Sequence, residues 1–192
     1  MRIFFASDHH FFHANIIKYC KRPFSDVSHM NEEMTLRWNK TVSSDDVLIY
    51  CGDLTAGLGD RSEELRLLIG DLNGRKILVR GNHDHKPDAW YLEAGFEKVV
   101  GHFNFGGVLA VHYCLEEAIA RGLDINAIGT VEHVVHGHTH ATEVPNHENH
   151  YNVAMDRNNY TPVDYKVAVP ERLQTHFHDS VVSFCNMKAS CL

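Results

Sequence analysis

The chain has 192 residues, of which 44% are hydrophobic and 22% are charged, and this composition excludes a disordered or collagenous chain. The length suits one domain and no Pro- or Ser-rich linker divides the chain, so we expect a single domain over residues 1–192. The formal net charge is −7, from 18 Lys and Arg against 25 Asp and Glu. Because the chain is acidic and has no basic run, we expect no extended nucleic-acid binding.

The first half of the chain predicts strands that alternate with helices. Short apolar runs predict buried strands, and apolar residues at helical spacing predict amphipathic helices. In chain order we predict a strand over 2–6, a helix over 28–42, a strand over 47–50, a helix over 62–69, a strand over 76–80 and a helix over 87–93. Ser28 is the predicted cap of the first helix, and Gly70 is the predicted glycine that ends the second.

The second half is predicted to be richer in strands. The pattern predicts strands over 96–100, 103–105 and 108–111, a helix over 115–121, and strands over 132–135 and 151–154. From about residue 171 the sequence has little periodicity, and we expect a C-terminal extension over 171–192 to which the pattern assigns no element.

Cysteine usage and hydropathy bear on where the protein is found. The five cysteines are scattered and form no C-x-x-C pair, which argues for a reducing compartment and against a disulfide framework or a zinc ribbon. No apolar run approaches the roughly 18 residues of a membrane span. The N-terminal segment reaches Asp8 too soon for a signal peptide. We therefore expect a cytoplasmic protein that does not associate with a membrane.

Residues with metal-binding side chains follow five of the predicted strands at once or nearly so. They are Asp8 and His10, Asp53, Asn82, His112, and finally His138 and His140. The carboxyl ends of strands are where open α/β sheets bind ligands, and loops there bring distant residues into one pocket. A capping Asp, a surface His or a simple turn would explain each motif alone. Two potential ligand pairs at spacing i and i+2 in one chain favour a metal site instead.

Together, and in this order, the motifs resemble the calcineurin-like metallophosphoesterase superfamily. Its pattern of D-x-H, G-D, G-N-H-[DE], a lone His and G-H-x-H appears here as Asp8-x-His10, Gly52-Asp53, Gly81-Asn82-His83-Asp84, His112 and Gly137-His138-Thr139-His140. The match spans about residues 3–160. Three further stretches resemble a small single-domain bacterial or phage branch of the family, namely Ser7-Asp8-His9-His10-Phe11, Val111-His112-Tyr113 and Asn152-Val153-Ala154-Met155-Asp156.

The resemblance implies an α/β fold, a four-layer α/β/β/α sandwich of two mixed sheets with a dinuclear metal site at strand ends. It also implies how the ligands divide: Asp8, His10 and His140 on one ion, Asn82, His112 and His138 on the other, and Asp53 bridging both. Carboxylates and imidazoles suit first-row divalent ions, and a set without Cys argues against a thiolate site. We expect two divalent metal ions, with Mn preferred and Fe, Zn, Ni or Mg as alternatives.

The activity that the resemblance implies is metal-dependent hydrolysis of a phosphomonoester or phosphodiester. A hydroxide bridging the two ions would attack phosphorus in line, and the Asn82 amide would help to hold the phosphoryl oxygens. His83, beside Asn82 but not a ligand, would be the general acid that protonates the leaving oxygen. The catalytic residues implied are therefore Asp53, Asn82 and His83. His13 is a possible substrate-lining residue, because the family often has a His there near the cleft.

One departure from the family pattern narrows the range of expected substrates. The protein serine/threonine phosphatases carry G-D-x-x-D-R-G, whereas this chain reads Gly52-Asp53-Leu54-Thr55-Ala56-Gly57 and lacks the second acid. That difference disfavours a protein phosphatase and leaves the orienting partner of His83 open; Asp84 is expected to brace its own loop. We expect a small phosphate ester or nucleotide as substrate and a monomer or homodimer. The alternative is a non-catalytic interaction scaffold with the same fold, which would be expected to lose metal ligands.

Overall fold

Two β-sheets form the centre of the structure, a computed structural model that describes residues 1–57, 59–142 and 149–187. The strands are β1 (Ile3–Ala6), β2 (Val47–Tyr50), β3 (Arg75–Val79), β4 (Phe96–Val100), β5 (Phe103–Phe105), β6 (Val108–Ala110), β7 (His133–His136), β8 (His150–Asn152) and β9 (Val163–Asp164). The helices are α1 (Ala14–Tyr19), α2 (Val27–Thr41), α3 (Ser62–Asp71), α4 (Asp88–Ala94), α5 (Leu115–Ala120), α6 (Tyr165–Ala168) and α7 (Glu171–Asn186). None of the helices in these ranges has the length and apolar character that crossing a membrane requires.

Both sheets are mixed. The first has the order β4-β3-β2-β1-β9, in which β1 to β4 run parallel and β9 pairs antiparallel with β1. The second has the order β5-β6-β7-β8, in which β6 to β8 run parallel and β5 pairs antiparallel with β6. Parallel neighbours end at the same edge of a sheet, so the loops after β1, β2 and β3 lie side by side, as do those after β6 and β7.

Alternating side chains on each strand build the layers. Ile3 and Phe5 of β1 point between the two sheets, where they share a core with Val135 of β7. Their neighbour Phe4 packs on the opposite face with Trp38 of α2, because successive side chains on a strand point to opposite faces. Helix α5 packs on the outer face of the second sheet. The predicted α/β/β/α sandwich of two mixed sheets is confirmed.

The predicted elements between residues 2 and 154 are all present, with ends shifted by at most two residues. The predicted cap of α2 is wrong. Asp26 is the N-cap, because its extended backbone lets the carboxylate accept a hydrogen bond from the His29 backbone N–H at 2.9 Å. Ser28 lies inside the first turn of the helix.

The predicted end of α3 is also wrong. Gly70 lies inside the helix, which continues to Asp71, and the C-cap is Leu72 in an extended conformation. The chain turns later, at Gly74, whose φ of +95° is the left-handed conformation that favours glycine. Gly70 follows the last apolar residue of the helical pattern, but the residue that must be a glycine for the chain to turn is Gly74.

Residues 171–186 of the C-terminal segment form a helix, contrary to the expectation of an extension without a defined element, and residues 188–192 lie outside the described residues. Leu173, Phe177, Val181 and Cys185 are the buried residues of α7 and recur every four residues. The flanking positions are mixed: His176 and Ser180 are polar, whereas Phe184 is partly buried and packs against the same core. Phe177 stacks on Phe5 of β1 with ring centroids 5.7 Å apart. Helix α7 thus completes the core between the sheets.

Candidate metal centre

The predicted ligands lie in loops at the carboxyl ends of strands from both sheets. Asp8, Asp53 and Asn82 follow β1, β2 and β3 of the first sheet, and His112 and His138 follow β6 and β7 of the second. A buried strand fixes the start of each loop, so the side chains are presented from a rigid support. The structure brings all seven predicted ligands, His10 and His140 included, into one cluster.

The backbone at this cluster is unusual. Positive φ angles occur at five of the predicted ligands: Asp8, His10, Asp53, His138 and His140. Such conformations cost about 1–3 kcal/mol each for residues other than glycine, and they cluster at functional sites. Two glycines permit the close approach of strands here, because a Cβ on Gly81 would overlap Asp53 and one on Gly137 would overlap Asp8.

The first group of ligand atoms belongs to Asp8, His10 and His140, and all of them lie within 4.8 Å of one another. Asp8 Oδ1 is 3.9 Å from Nε2 of both histidines. The other oxygen, Oδ2, accepts a hydrogen bond from the His138 backbone N–H at 2.9 Å. Asp8 Oδ1 and both ring nitrogens of His10 are buried and have no hydrogen-bond partner among the described residues. Such atoms are costly to bury unpaired, and a cation between them would satisfy Asp8 Oδ1 and one ring nitrogen of His10.

The second group belongs to Asp53, His112 and His138, with ligand atoms again within 4.8 Å. Asn82 adjoins it, because its Oδ1 is 3.0 Å from His112 Nε2. His112 Nε2 also lies 3.4 Å from Asp53 Oδ2 and 3.2 Å from His138 Nδ1. The other ring nitrogen of His112 is 2.8 Å from the carbonyl oxygen of Cys51, to which it can only donate. Nε2 therefore faces two oxygen acceptors, which is the arrangement that a cation fits.

Asp53 stands between the two groups. Its Oδ1 accepts a hydrogen bond from the His83 backbone N–H at 2.8 Å, which fixes the carboxylate. Its Oδ2 is 3.9 Å from His10 Nε2 in the first group and 3.4 Å from His112 Nε2 in the second. One carboxylate oxygen thus lies between the two groups of potential ligands.

The charges of the cluster favour a cation. Burial alone would raise the pKa of Asp53, but the hydrogen bond with His112 and the nearby imidazoles lower it to about 2. Burial lowers the pKa of His10 to about 2, so this ring is neutral and able to coordinate. Burial would lower the pKa of His112 as well, but Asp53 and Asp8 raise it to about 9. The negative charge that holds this proton would equally hold a metal ion in its place.

The remaining predicted residues lie beside the cluster. The side chain of His83 is 43% exposed, and its Nε2 is 3.9 Å from Asp53 Oδ2, so the ring borders the ligands and faces solvent. His13 is partly buried, with its ring 5.8 Å from that of His10. Asp84 accepts hydrogen bonds from backbone N–H groups of Gly81, Asp53 and Leu54, so it braces the loops that carry the ligands.

Two residues of the site were missed from the sequence. Asp156 Oδ2 lies 2.6 Å from His140 Nδ1, and Arg22 forms a buried ion pair with Asp156. Asp156 belongs to a stretch that resembles the small branch of the family, which was the one available signal. Arg22 belongs to no motif, and its sequence distance from Asp156 is 134 residues.

A third group of potential ligands, Cys20, His140 and Asp156, is poorly suited to a metal. Both oxygens of Asp156 accept hydrogen bonds from Arg22. Burial, together with the charge of Asp156, raises the pKa of the Cys20 thiol to about 11, and metals bind the thiolate. The first two groups are therefore the candidate metal centre.

Known proteins provide an independent comparison. A family model described as calcineurin-like phosphoesterase matches residues 1–112, which contain the motifs from Asp8 through His112. An uncharacterized protein of Methanocaldococcus jannaschii is 33% identical over 178 residues, which cover 88% of this chain and 89% of that protein. The chain is also similar to the crystal structure of a protein of unknown function from Aquifex aeolicus, with a TM-score of 0.66 and 23% identity over 86% of this chain and 96% of that one.

A structure described as a novel archaeal phosphodiesterase has a TM-score of 0.43 and 16% identity, over 80% of this chain and 82% of that one. The family model covers more than half of the chain, and the M. jannaschii relative extends over most of it. Their agreement confirms the resemblance seen in the motifs, and the chain therefore belongs to the calcineurin-like phosphoesterase family.

Proposed function

We propose that this protein is a dinuclear, metal-dependent phosphoric ester hydrolase. Membership of the calcineurin-like phosphoesterase family implies metal-dependent hydrolysis of a phosphoester. The observation that carries the dinuclear assignment is the position of Asp53, whose Oδ2 faces His10 Nε2 at 3.9 Å on one side and His112 Nε2 at 3.4 Å on the other. A carboxylate placed in this way would be a ligand to both ions of a two-metal site, the kind of site that promotes in-line displacement at phosphorus.

In this proposal the oxygen and nitrogen donors divide as the family pattern implies. Asp8, His10 and His140 would hold one ion, Asn82, His112 and His138 would hold the other, and both ions would share Asp53. We expect Mn, with Fe, Zn, Ni or Mg as alternatives, because a mixed set of carboxylate, amide and imidazole donors accepts each of these ions. When bound, two divalent cations lower the pKa of water far enough for nucleophilic attack at neutral pH and offset the charge that develops on the phosphoryl oxygens.

The chain's own residues supply the rest of the chemistry. The Oδ1 atom of Asn82 points toward His112 and the ligand group, so the NH₂ group of Asn82 can donate a hydrogen bond to a phosphoryl oxygen. His83, exposed at the edge of the cluster, donates a proton to the leaving oxygen, a step that typically contributes 10²–10⁴-fold. His13 lines the cleft beside His10. The substrate that fits this small polar centre is a phosphate ester or nucleotide, hydrolysed as a monoester or diester.

The test combines metal analysis with a substrate panel. The purified chain is loaded with Mn²⁺, its metal content is measured, and nucleotides, cyclic nucleotides, sugar phosphates and aryl monoesters and diesters are assayed. The expected result is about two ions per chain and turnover that a chelator removes and Mn²⁺ restores. A metal-loaded chain that hydrolyses no member of the panel would overturn the proposal in favour of a non-catalytic scaffold.

A further inference from the structure

The imidazole of His140 is held from behind by a buried pair of charged side chains. Its Nδ1 lies 2.6 Å from Asp156 Oδ2, and the two Asp156 oxygens accept hydrogen bonds from Arg22 Nε and Nη2 at 2.8 and 2.9 Å. The side chains of Arg22 and Asp156 are 0% and 2% exposed. A buried carboxylate accepts and cannot donate, so this contact fixes a proton on Nδ1 of His140.

Arg22 also donates hydrogen bonds to the backbone of the segment that carries Asp8 and His10, the other two ligands grouped with His140. Its Nη2 donates to the carbonyl oxygen of Asp8 at 2.7 Å, and its Nη1 donates to the carbonyl oxygen of His9 at 2.6 Å. One guanidinium therefore ties Asp156, and through it His140, to the segment that presents Asp8 and His10. These four contacts join parts of the chain that the predicted motifs leave unconnected.

We propose that Asp156 and Arg22 are positioning residues for the cation held by Asp8, His10 and His140. Asp156 holds the His140 tautomer in which Nδ1 carries the proton, so that the Nε2 lone pair points toward Asp8 Oδ1, 3.9 Å away. Arg22 sets the distance between this ring and the Asp8–His10 segment. Ligating histidines commonly have such a carboxylate at the second ring nitrogen, and its loss typically weakens metal binding by about 10–100-fold. The inference rests on the proposed function, since it assumes that the site binds a divalent cation.

The neighbouring histidine of the same motif provides a matched control. His138 Nε2 is 3.6 Å from Glu117 Oε1, which is beyond hydrogen-bonding distance, and Glu117 in turn pairs with Arg121 at 2.8 Å. The side chains of Glu117 and Arg121 are 31% and 54% exposed. Solvent screens charges of this kind, so Glu117 should contribute little to the orientation of His138.

The experiment compares Asp156→Asn with Glu117→Gln, two substitutions that each remove one negative charge at nearly constant size. Binding of Zn²⁺ to the metal-stripped full chain is measured by titration calorimetry. We expect Asp156→Asn to weaken one class of site by about 10–100-fold, and Glu117→Gln to change affinity by at most about fivefold. Equal effects of the two substitutions, or no effect of Asp156→Asn, would overturn the assignment.

Two further measurements separate positioning from a purely structural role. Asp156→Asn removes the carboxylate that pairs with the buried Arg22, and the loss of that pair can unfold the chain. The His140 tautomer is therefore measured in the Zn²⁺-loaded wild-type chain, from long-range ¹H–¹⁵N NMR spectra. A proton on Nδ1 is expected, and a proton on Nε2 contradicts the proposal. In a His140→Ala background, Asp156→Asn should cause no further loss of affinity if Asp156 acts through His140; an undiminished loss means that it does not.

The outcomes also distinguish this inference from the proposed function. A wild-type chain that binds Zn²⁺ with the expected tautomer but hydrolyses no ester would overturn the hydrolase assignment and leave the positioning pair in place. A chain that hydrolyses esters while Asp156→Asn binds Zn²⁺ normally would do the reverse. A wild-type chain that binds no cation would overturn both.

Discussion

The two halves of the metal centre differ although one short motif supplies a histidine to each. We define the His140 half as Asp8, His10 and His140, and the His138 half as Asn82, His112 and His138, with Asp53 between them. Burial alone would lower the pKa of both motif histidines, but the bond to Asp156 and the charge of Asp8 hold the pKa of His140 above its ordinary value. At His138 the nearby His112 adds to the effect of burial, and the pKa is lowered. Two residues that look equivalent in sequence are thus held by different surroundings.

The difference lies in what holds each ring. In the His140 half the buried side chains of Asp156 and Arg22 hold the His140 ring, and Asp8 Oδ1 has no hydrogen-bond partner among the described residues. In the His138 half, His112 is oriented by a backbone carbonyl and His138 contacts a partly exposed carboxylate. A side-chain pair can be removed by mutation and a backbone carbonyl cannot, so substitutions should separate the two halves.

The largest effect is expected where the halves meet. Asp53→Asn replaces the shared carboxylate with an amide of the same size, which removes the charge that both candidate ions would share. We expect turnover to fall to the background rate and the metal content to drop from about two ions per chain to one or fewer. Metal analysis beside the ester assay measures both. Full metal content and full turnover in Asp53→Asn would show that the two halves do not share this ligand.

The next largest effect concerns proton donation rather than metal binding. His83→Ala should lower kcat by about 10²–10⁴-fold and leave the metal content unchanged, because the ring borders the ligand groups without joining either. The loss should shrink for aryl esters whose leaving group needs no proton. His85, exposed and with its ring 6.3 Å from that of His83, provides the control, since His85→Ala should leave kcat unchanged. Equal losses on good and poor leaving groups would contradict the general-acid role.

Much of the candidate site could be predicted because its ligands directly follow buried strands. Asp53 and Asn82, for example, follow the apolar runs of β2 and β3, and parallel strands that end at one edge bring such residues together. Arg22 could not be predicted in this way, since it lies between α1 and α2 and meets Asp156 only through the folded path of the chain. Helix α7 was missed for a different reason: its apolar residues do recur at helical spacing, but polar residues such as His176 and Ser180 separate them, so no continuous apolar run marks the helix.

A cation-dependent gain in stability should reveal the unequal halves. At a free concentration about 1,000 times Kd, an ion that binds only the folded chain stabilises it by about 4 kcal/mol. We expect His140→Ala to lose more of this gain than His138→Ala, because the predicted ligand atoms that are buried without a hydrogen-bond partner among the described residues, on Asp8 and His10, belong to the His140 half. Thermal unfolding with and without Mn²⁺ gives the difference for each variant. Equal losses would mean that burial of the ligands does not set the strength of binding.

The smallest expected effect tests how the loops beneath the His138 half are held. Asp84 is buried and accepts backbone N–H groups from the loops that carry Asp53 and Asn82. Asp84→Asn places an amide NH₂ against some of these donors, which should cost about 1–3 kcal/mol in the free energy of unfolding. Asp88, four residues on, is 63% exposed in its ion pair with Arg80, so Asp88→Asn should cost at most about 1 kcal/mol.

Denaturant unfolding of the metal-stripped variants measures both costs without interference from bound ions. If Asp84→Asn is as mild as Asp88→Asn, the Asp84 carboxylate does not hold these loops, and the order of the His138 half must come from the strands alone. If it is more costly, titration with Zn²⁺ should then show that the weakened sites are those of the His138 half. The His140 half should lose less affinity, because the shared Asp53 is the one ligand of that half on the braced loops and Arg22 holds the Asp8–His10 segment through contacts that do not involve Asp84.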